Sequence, residues 1–157
     1  MKTFSSYITE VGDYVTPSER AALIPYYTDG NGVTRIALMI PSDSRYGGSS
    51  PQIAKGGVEP GDSRILTAQK EGEEELGYIH KPGNRLKVLW INKQKTFSTT
   101  YYYVRVSDMK FKKPHFETKK VLWPKINDSL KIIRDIHREV IVRLIRKLKK
   151  IEKKKNI

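Results

Sequence analysis

A chain of 157 residues has the length of one domain with one core, and a hydrophobic share of 38%, with nine tyrosines and two tryptophans, excludes a wholly disordered chain. Thirty Lys and Arg against seventeen Asp and Glu leave a net charge of +13, which points to polyanionic partners such as nucleotides, RNA, DNA or polyphosphates. The absence of cysteine excludes disulfides, thiolate metal sites and a cysteine nucleophile and favours a cytoplasmic location, while no apolar run approaches the roughly 20 residues that span a bilayer.

Residues 1–18 read as an irregular lead-in that lacks the apolar stretch of a secretory signal. Residues 20–27 are apolar and strand-like, and Asp29-Gly30-Asn31-Gly32 supplies residues that tolerate positive φ, so a hairpin turn is expected. Residues 34–40 then read as the returning strand. Residues 41–62, rich in Pro, Gly, Ser and Asp, read as loop. A helix is expected over 63–76, with Asp62 or Ser63 capping its first N–H groups and Gly77 at the position of a left-handed stop. Residues 86–91 form the next strand, Lys93-Gln94-Lys95 a turn, and the Thr, Tyr and Val run over 97–106 a long strand. A shorter strand is expected over 119–122. From Asn127 or Asp128 onward, Leu130, Ile133, Ile136, Val140, Ile141, Leu144, Ile145 and Leu148 recur every three or four residues, the pattern of one long amphipathic helix. Its basic end, residues 146–157, reads as a solvated helix terminus, with nucleic-acid contact as the alternative. Strands, a helix, strands and a long helix argue for a single α/β domain over 1–157, with a mixed sheet between helices.

The stretch that carries chemistry is Gly56-Gly57-Val58-Glu59-Pro60-Gly61-Asp62-Ser63, continued by Lys70-Glu71-Gly72-Glu73-Glu74-Glu75-Leu76-Gly77-Tyr78. Glu71, Glu74 and Glu75 stand at i, i+3 and i+4, so at about 100° per residue they share one helix face. Carboxylates so close repel one another unless a cation sits among them, and a hard divalent ion with oxygen ligands suits them. Taken alone, Glu73-Glu74-Glu75 could equally be an ordinary exposed acidic face. The flanking glycines change that balance, because a backbone without Cβ atoms can approach a metal or a phosphate closely.

This segment resembles the Nudix box, G-x5-E-x7-R-E-U-x-E-E-x-G-U with U bulky and apolar. Gly56 starts it, Asp62 takes the first acid position, Lys70 takes the arginine position, Glu71, Glu74, Glu75 and Gly77 match outright, and Tyr78 fills the last U. Three positions depart from the pattern. Asp62 is one methylene shorter than Glu, Lys70 keeps the charge without the bidentate fork, and Gly72 stands where an apolar residue would pack, costing about 1 kcal/mol of helix propensity. Residues 51–57 resemble the family's approach segment W-x-x-P-K-G-G, with Lys55 retained and Ala54 in place of the proline. Residues 117–123 resemble its acid-then-Trp entry into the last strand.

The resemblance implies an α/β/α sandwich and a pyrophosphohydrolase dependent on magnesium, with manganese as a substitute ion. It implies that Glu71, Glu74 and Glu75 bind the cations with help from the Gly56 carbonyl, that one of them, Glu71 for preference, orients or deprotonates the attacking water, and that Glu117 is a further ligand candidate. Lys55, Lys70, Tyr102 and Arg105 are the candidates for contact with substrate. Sheet packing is the alternative for Tyr102, a solubilising charge for Arg105. The implied substrates are nucleoside diphosphates linked to another moiety: ADP-ribose, dinucleoside polyphosphates and FAD- or NAD-like dinucleotides. Diphosphoinositol polyphosphate or an RNA 5′ end is the alternative substrate, and a non-catalytic RNA- or nucleotide-binding module is the alternative class. Many relatives pair as homodimers, although no interface can be read from this sequence. His80, His115 and His137 show no ligand spacing, and neither a G-x-S-x-G elbow nor a Walker A sequence is present.

Overall fold

The computed structural model of the chain describes residues 18–45 and 48–155; the expected lead-in over 1–17 and the last two residues of the basic end lie outside them. Strand β1 (Ser18–Thr28) organises the main sheet. On one side it pairs in parallel with β6 (Phe97–Arg105), which pairs antiparallel with β5 (Lys87–Lys93) at the sheet edge. Its other side is shared: the C-terminal half pairs with β2 (Thr34–Ile36) and the N-terminal half with β4 (Ala54–Gly57), both antiparallel. A second, two-stranded sheet joins β3 (Leu38–Pro41) to β7 (Thr118–Leu122). Helices α1 (Arg64–Leu76), α2 (Ile126–Ile132) and α3 (Asp135–Lys155) complete the order.

Alternation along the central strands separates two cores. Ala22, Ile24, Tyr101 and Tyr103 face Val140, Ile141 and Leu144 of α3. Ala21, Leu23, Tyr102 and Val104 face the opposite side, where Ala68 of α1 and Tyr78 lie. The mixed sheet between helices is the expected α/β arrangement. No helix among the described residues is long and apolar enough to cross a membrane.

Three local expectations are corrected. The strand expected over 34–40 is two strands in different sheets. Pro25 accepts the Ala37 N–H at 3.0 Å but has no N–H to return, so the hairpin ladder stops there and β3 leaves to pair with β7. The loop expected over 41–62 contains β4, whose glycines conceal it from a propensity reading although Leu23↔Ala54 to Arg20↔Gly57 pair in register. The single C-terminal helix is interrupted. Ile133 is extended at φ −71° and ψ 149°, and the Arg134 N–H donates to the Pro51 carbonyl at 2.9 Å rather than to a helical carbonyl. The helical phase resets there: His137 enters the core fully buried, whereas Ile136, apolar and in period, is 55% exposed.

Candidate active site

Helix α1 is held at both ends by local chemistry. The Ser63 hydroxyl accepts the Leu66 N–H at 3.1 Å. At the other end Gly77 adopts φ 75° and ψ 20°, and the N–H groups of Gly77 and Tyr78 close onto the carbonyls of Glu73 and Gly72. A loop after β6 completes the last turn. Lys112 N–H donates to the Gly77 carbonyl at 2.8 Å, His115 N–H to the Glu74 carbonyl at 2.7 Å, and the Thr118 hydroxyl to the Glu75 carbonyl at 2.7 Å. Gly72 brings the helix against β1 so closely that a Cβ there would run into the fully buried Leu23. The departure of Gly72 from the box pattern therefore has a packing cause that local helix propensity does not reveal.

The docked helix borders a cleft of about 670 Å³ whose lining includes Glu75, Glu117, Lys55, Arg20, Arg134 and Tyr101. The Lys55 N–H donates to the Glu75 carboxylate at 3.3 Å, tying β4 to α1. Glu75 and Glu71 hydrogen-bond to each other. Burial, that hydrogen bond and the Glu71 charge push the Glu75 carboxyl up to about 9. Burial first, then the charges of Glu74, Glu117 and Glu59, raise Glu71 against the lowering effect of the bond to Glu75. Lys55 moves the other way: burial, then Arg134 and Arg20, push its amine down to about 8, with Glu75 opposing.

Among the described residues, no group of three or more His, Asp or Glu side chains is arranged to hold an ion as it stands. The donor set still fits a hard cation. Two carboxyls sharing a proton offer oxygens that a divalent ion could take over. The missing side chain at Gly56 leaves its backbone against the Glu71 carboxyl, where a Cβ would collide. Glu71, Glu75 and the Gly56 backbone thus stand together. Glu117 reaches the same cleft, and Glu74 is exposed beside Glu71, near enough for its charge to be felt there.

The other sequence candidates scatter. Lys70 is paired with Asp62 at 3.0 Å on an exposed surface, so the two departures from the box pattern satisfy each other. Tyr102 does not line the cleft, which corrects the expectation for it. Strand alternation turns Tyr102 toward the α1 core, 6% exposed, and presents Tyr101 to the cleft instead. Arg105 shares the parity of Tyr101 but lies at the far end of β6, in a separate depression beside Leu148 and Lys155 of α3. Sequence reasoning missed Arg20, Phe97, Tyr101 and Arg134. The first three carry a signal only once the β1–β6 register is known, with Arg20 opposite Thr99. Arg134 carries none, because the break that places it is tertiary. Beneath the cleft, His137 accepts the Ile53 N–H on Nδ1 at 3.1 Å. Its Nε2 has no hydrogen-bond partner and its ring meets Tyr101 edge-on. Burial, then Lys55 and Arg134, push His137 down to about 3.

A family model described as NUDIX domain matches residues 17–144. No curated protein sequence matches the chain. Among solved structures, the chain is similar to a Caenorhabditis elegans Ap4A hydrolase in a binary complex, with a TM-score of 0.67 and 19% identity over 83% of this chain and 97% of that one. It is similar to the NUDIX domain of Shewanella oneidensis NrtR complexed with ADP ribose, with a TM-score of 0.68 and 14% identity over 94% and 99% of the two chains. A Nudix hydrolase from M. smegmatis, RenU, aligns with a TM-score of 0.67 and 11% identity over 85% and 88%. At these identities the likeness is one of fold.

Proposed function

The chain belongs to the NUDIX domain family, and from that premise we propose that it is a divalent-metal-dependent hydrolase of phosphoanhydrides in nucleoside diphosphate derivatives. One observation carries the reading: the Glu71–Glu75 carboxyl pair and the Gly56 backbone meet at a cleft whose wall is cationic. An acidic pair with no ligand to serve would be an unrelieved repulsion, and a cationic wall facing it suits a substrate that is itself an anion.

Glu71 and Glu75 would hold the ion, Mg2+ for preference, with the Gly56 carbonyl, and Glu74 and Glu117 near enough to complete the set. When bound, such an ion offsets the negative charge that develops on the bridging phosphates. The chain's own residues supply the rest. Lys55, on β4 between the carboxylates and the arginines, contacts a non-bridging phosphoryl oxygen. Whichever of Glu71 and Glu75 is left free accepts the proton of the attacking water at its carboxylate. Tyr101 and Phe97 form an aromatic wall against which a nucleoside can lie. The likeness to structures holding ADP ribose or named for Ap4A supports substrates of that kind.

The test is turnover of ADP-ribose, dinucleoside polyphosphates and FAD or NAD with magnesium. Glu75→Gln should lower kcat by about 10²- to 10⁴-fold while the thermal melt stays cooperative. Product release that is undiminished in Glu75→Gln would overturn the assignment. Binding of ADP-ribose without turnover in either protein would favour a non-catalytic module.

A further inference from the structure

Two arginines reach the cleft from elements that have nothing to do with helix α1. Arg20 comes from the start of β1, opposite Gly57 on one side and Thr99 on the other. Arg134 comes from the interruption between α2 and α3, held by its own N–H on the Pro51 carbonyl. Neither has an ion-pair partner among the described residues. Arg20 lies over the Phe97 ring, its guanidinium carbon 5.3 Å from the centroid, which fixes the plane of the group and leaves its N–H fork free. The charges of both arginines act on the Tyr101 hydroxyl and on Lys55, so the two converge on one part of the cleft.

Three cations, Arg20, Lys55 and Arg134, therefore face two carboxylates, Glu75 and Glu117. Once divalent ions offset the carboxylates, the excess is larger still. Like charges gathered in a partly enclosed space repel, and a bound anion relieves that repulsion. One diphosphate engaged at the carboxylates and Lys55 does not use the arginines. Their planar, bidentate forks suit phosphate oxygens better than a sugar hydroxyl. A nucleobase stacked on Phe97 would have to displace Arg20.

We propose that Arg20 and Arg134 form a subsite for a phosphate beyond the bond that is cut, so that the preferred substrates bridge their two moieties with three or more phosphates. This rests on the hydrolase reading above and narrows it: ADP-ribose and other two-phosphate compounds fill the carboxylate end and leave the arginines empty.

The experiment compares kcat/KM for diadenosine compounds with two, three, four and five phosphates and for ADP-ribose, in the parent, Arg20→Gln, Arg134→Gln and the corresponding lysine variants. In the parent, kcat/KM should rise by about tenfold or more from two phosphates to four. Each Gln variant should lower the ratio of tetraphosphate to ADP-ribose kcat/KM by about tenfold, with partial recovery in the lysine variants. A parallel measurement needs no turnover: calorimetric binding of inorganic tripolyphosphate against pyrophosphate at saturating magnesium, where the parent prefers the longer chain and Arg134→Gln loses the preference. Equal loss on all substrates, or no preference for tripolyphosphate in the parent, overturns the subsite. Preference retained without turnover of any substrate overturns the hydrolase reading and leaves the subsite standing.

Discussion

Two segments of this chain read as helices, and they reward sequence reasoning very differently. Helix α1 runs from a Ser63 cap to a Gly77 stop, as local chemistry dictates. The C-terminal segment has a better apolar period, yet it breaks at Ile133 and Arg134 and resumes in a new phase. Capping is decided within a few residues, so it is written in the sequence. A break made by a carbonyl at Pro51 and by His137 receiving the Ile53 N–H depends on chain more than 80 residues away in sequence. The period of an apolar pattern establishes that a helix buries a face, not that the helix is unbroken.

The sharpest way to strain that contrast is at Gly72, where local and tertiary reasoning give opposite signs. By propensity, Leu in its place should strengthen α1 by about 1 kcal/mol. Against the buried Leu23, Gly72→Leu should instead destabilise the protein by about 3 kcal/mol, read as a lower denaturant midpoint at unchanged slope. A stabilised variant would mean that α1 does not sit so close to β1.

Next in size is the pH response of the protein stripped of divalent ions. Glu75 has its ordinary value near 4.5 when unfolded and about 9 when folded, so the native state binds the extra proton. That contribution is complete below about 4.5 and is lost as pH rises toward 9. His137, ordinarily near 6.5 and about 3 when folded, acts in reverse, losing stability as pH falls below about 6.5. Lys55, at about 8 against 10.5, adds stability with rising pH only above about 8. Between about 6.5 and 8 the Glu75 slope stands alone among these three, and the metal-free melting temperature should fall with pH. Saturating magnesium should flatten the slope, because the ion takes the place of the proton. A metal-free melting temperature that rises across this window would break the account of the carboxyl pair.

The smallest effect tests the reset phase. A continuous helix makes Ile136 a core residue, whose truncation would cost about 2–5 kcal/mol. The broken one leaves it 55% exposed, so Ile136→Ser should change stability by less than about 0.5 kcal/mol in thermal or chemical unfolding.

The same division runs through the site. Glu71, Glu75 and Gly56 were legible because close spacing on one helix and a glycine beside it are local facts. The mutual satisfaction of Lys70 and Asp62 was legible only as two departures from a pattern, because their pairing spans the start of α1. The choice between Tyr101 and Tyr102 needs the pairing of β6 with β1, since a shift of one residue exchanges the faces. Lys55 could be named from its neighbours, but Arg20 and Arg134 are brought to it by elements far away in sequence, and no spacing rule links them.

The loop that finishes the last turn of α1 has a consequence for motion. Because Lys112 and His115 give their N–H groups to helix carbonyls, their amide hydrogens should exchange with solvent at rates set by the opening of the α1 terminus, far slower than an exposed connector allows. The helix end and the connector then unzip as one cooperative unit, and a protease cut in residues 107–117 would loosen Glu74 and Glu75 without touching either.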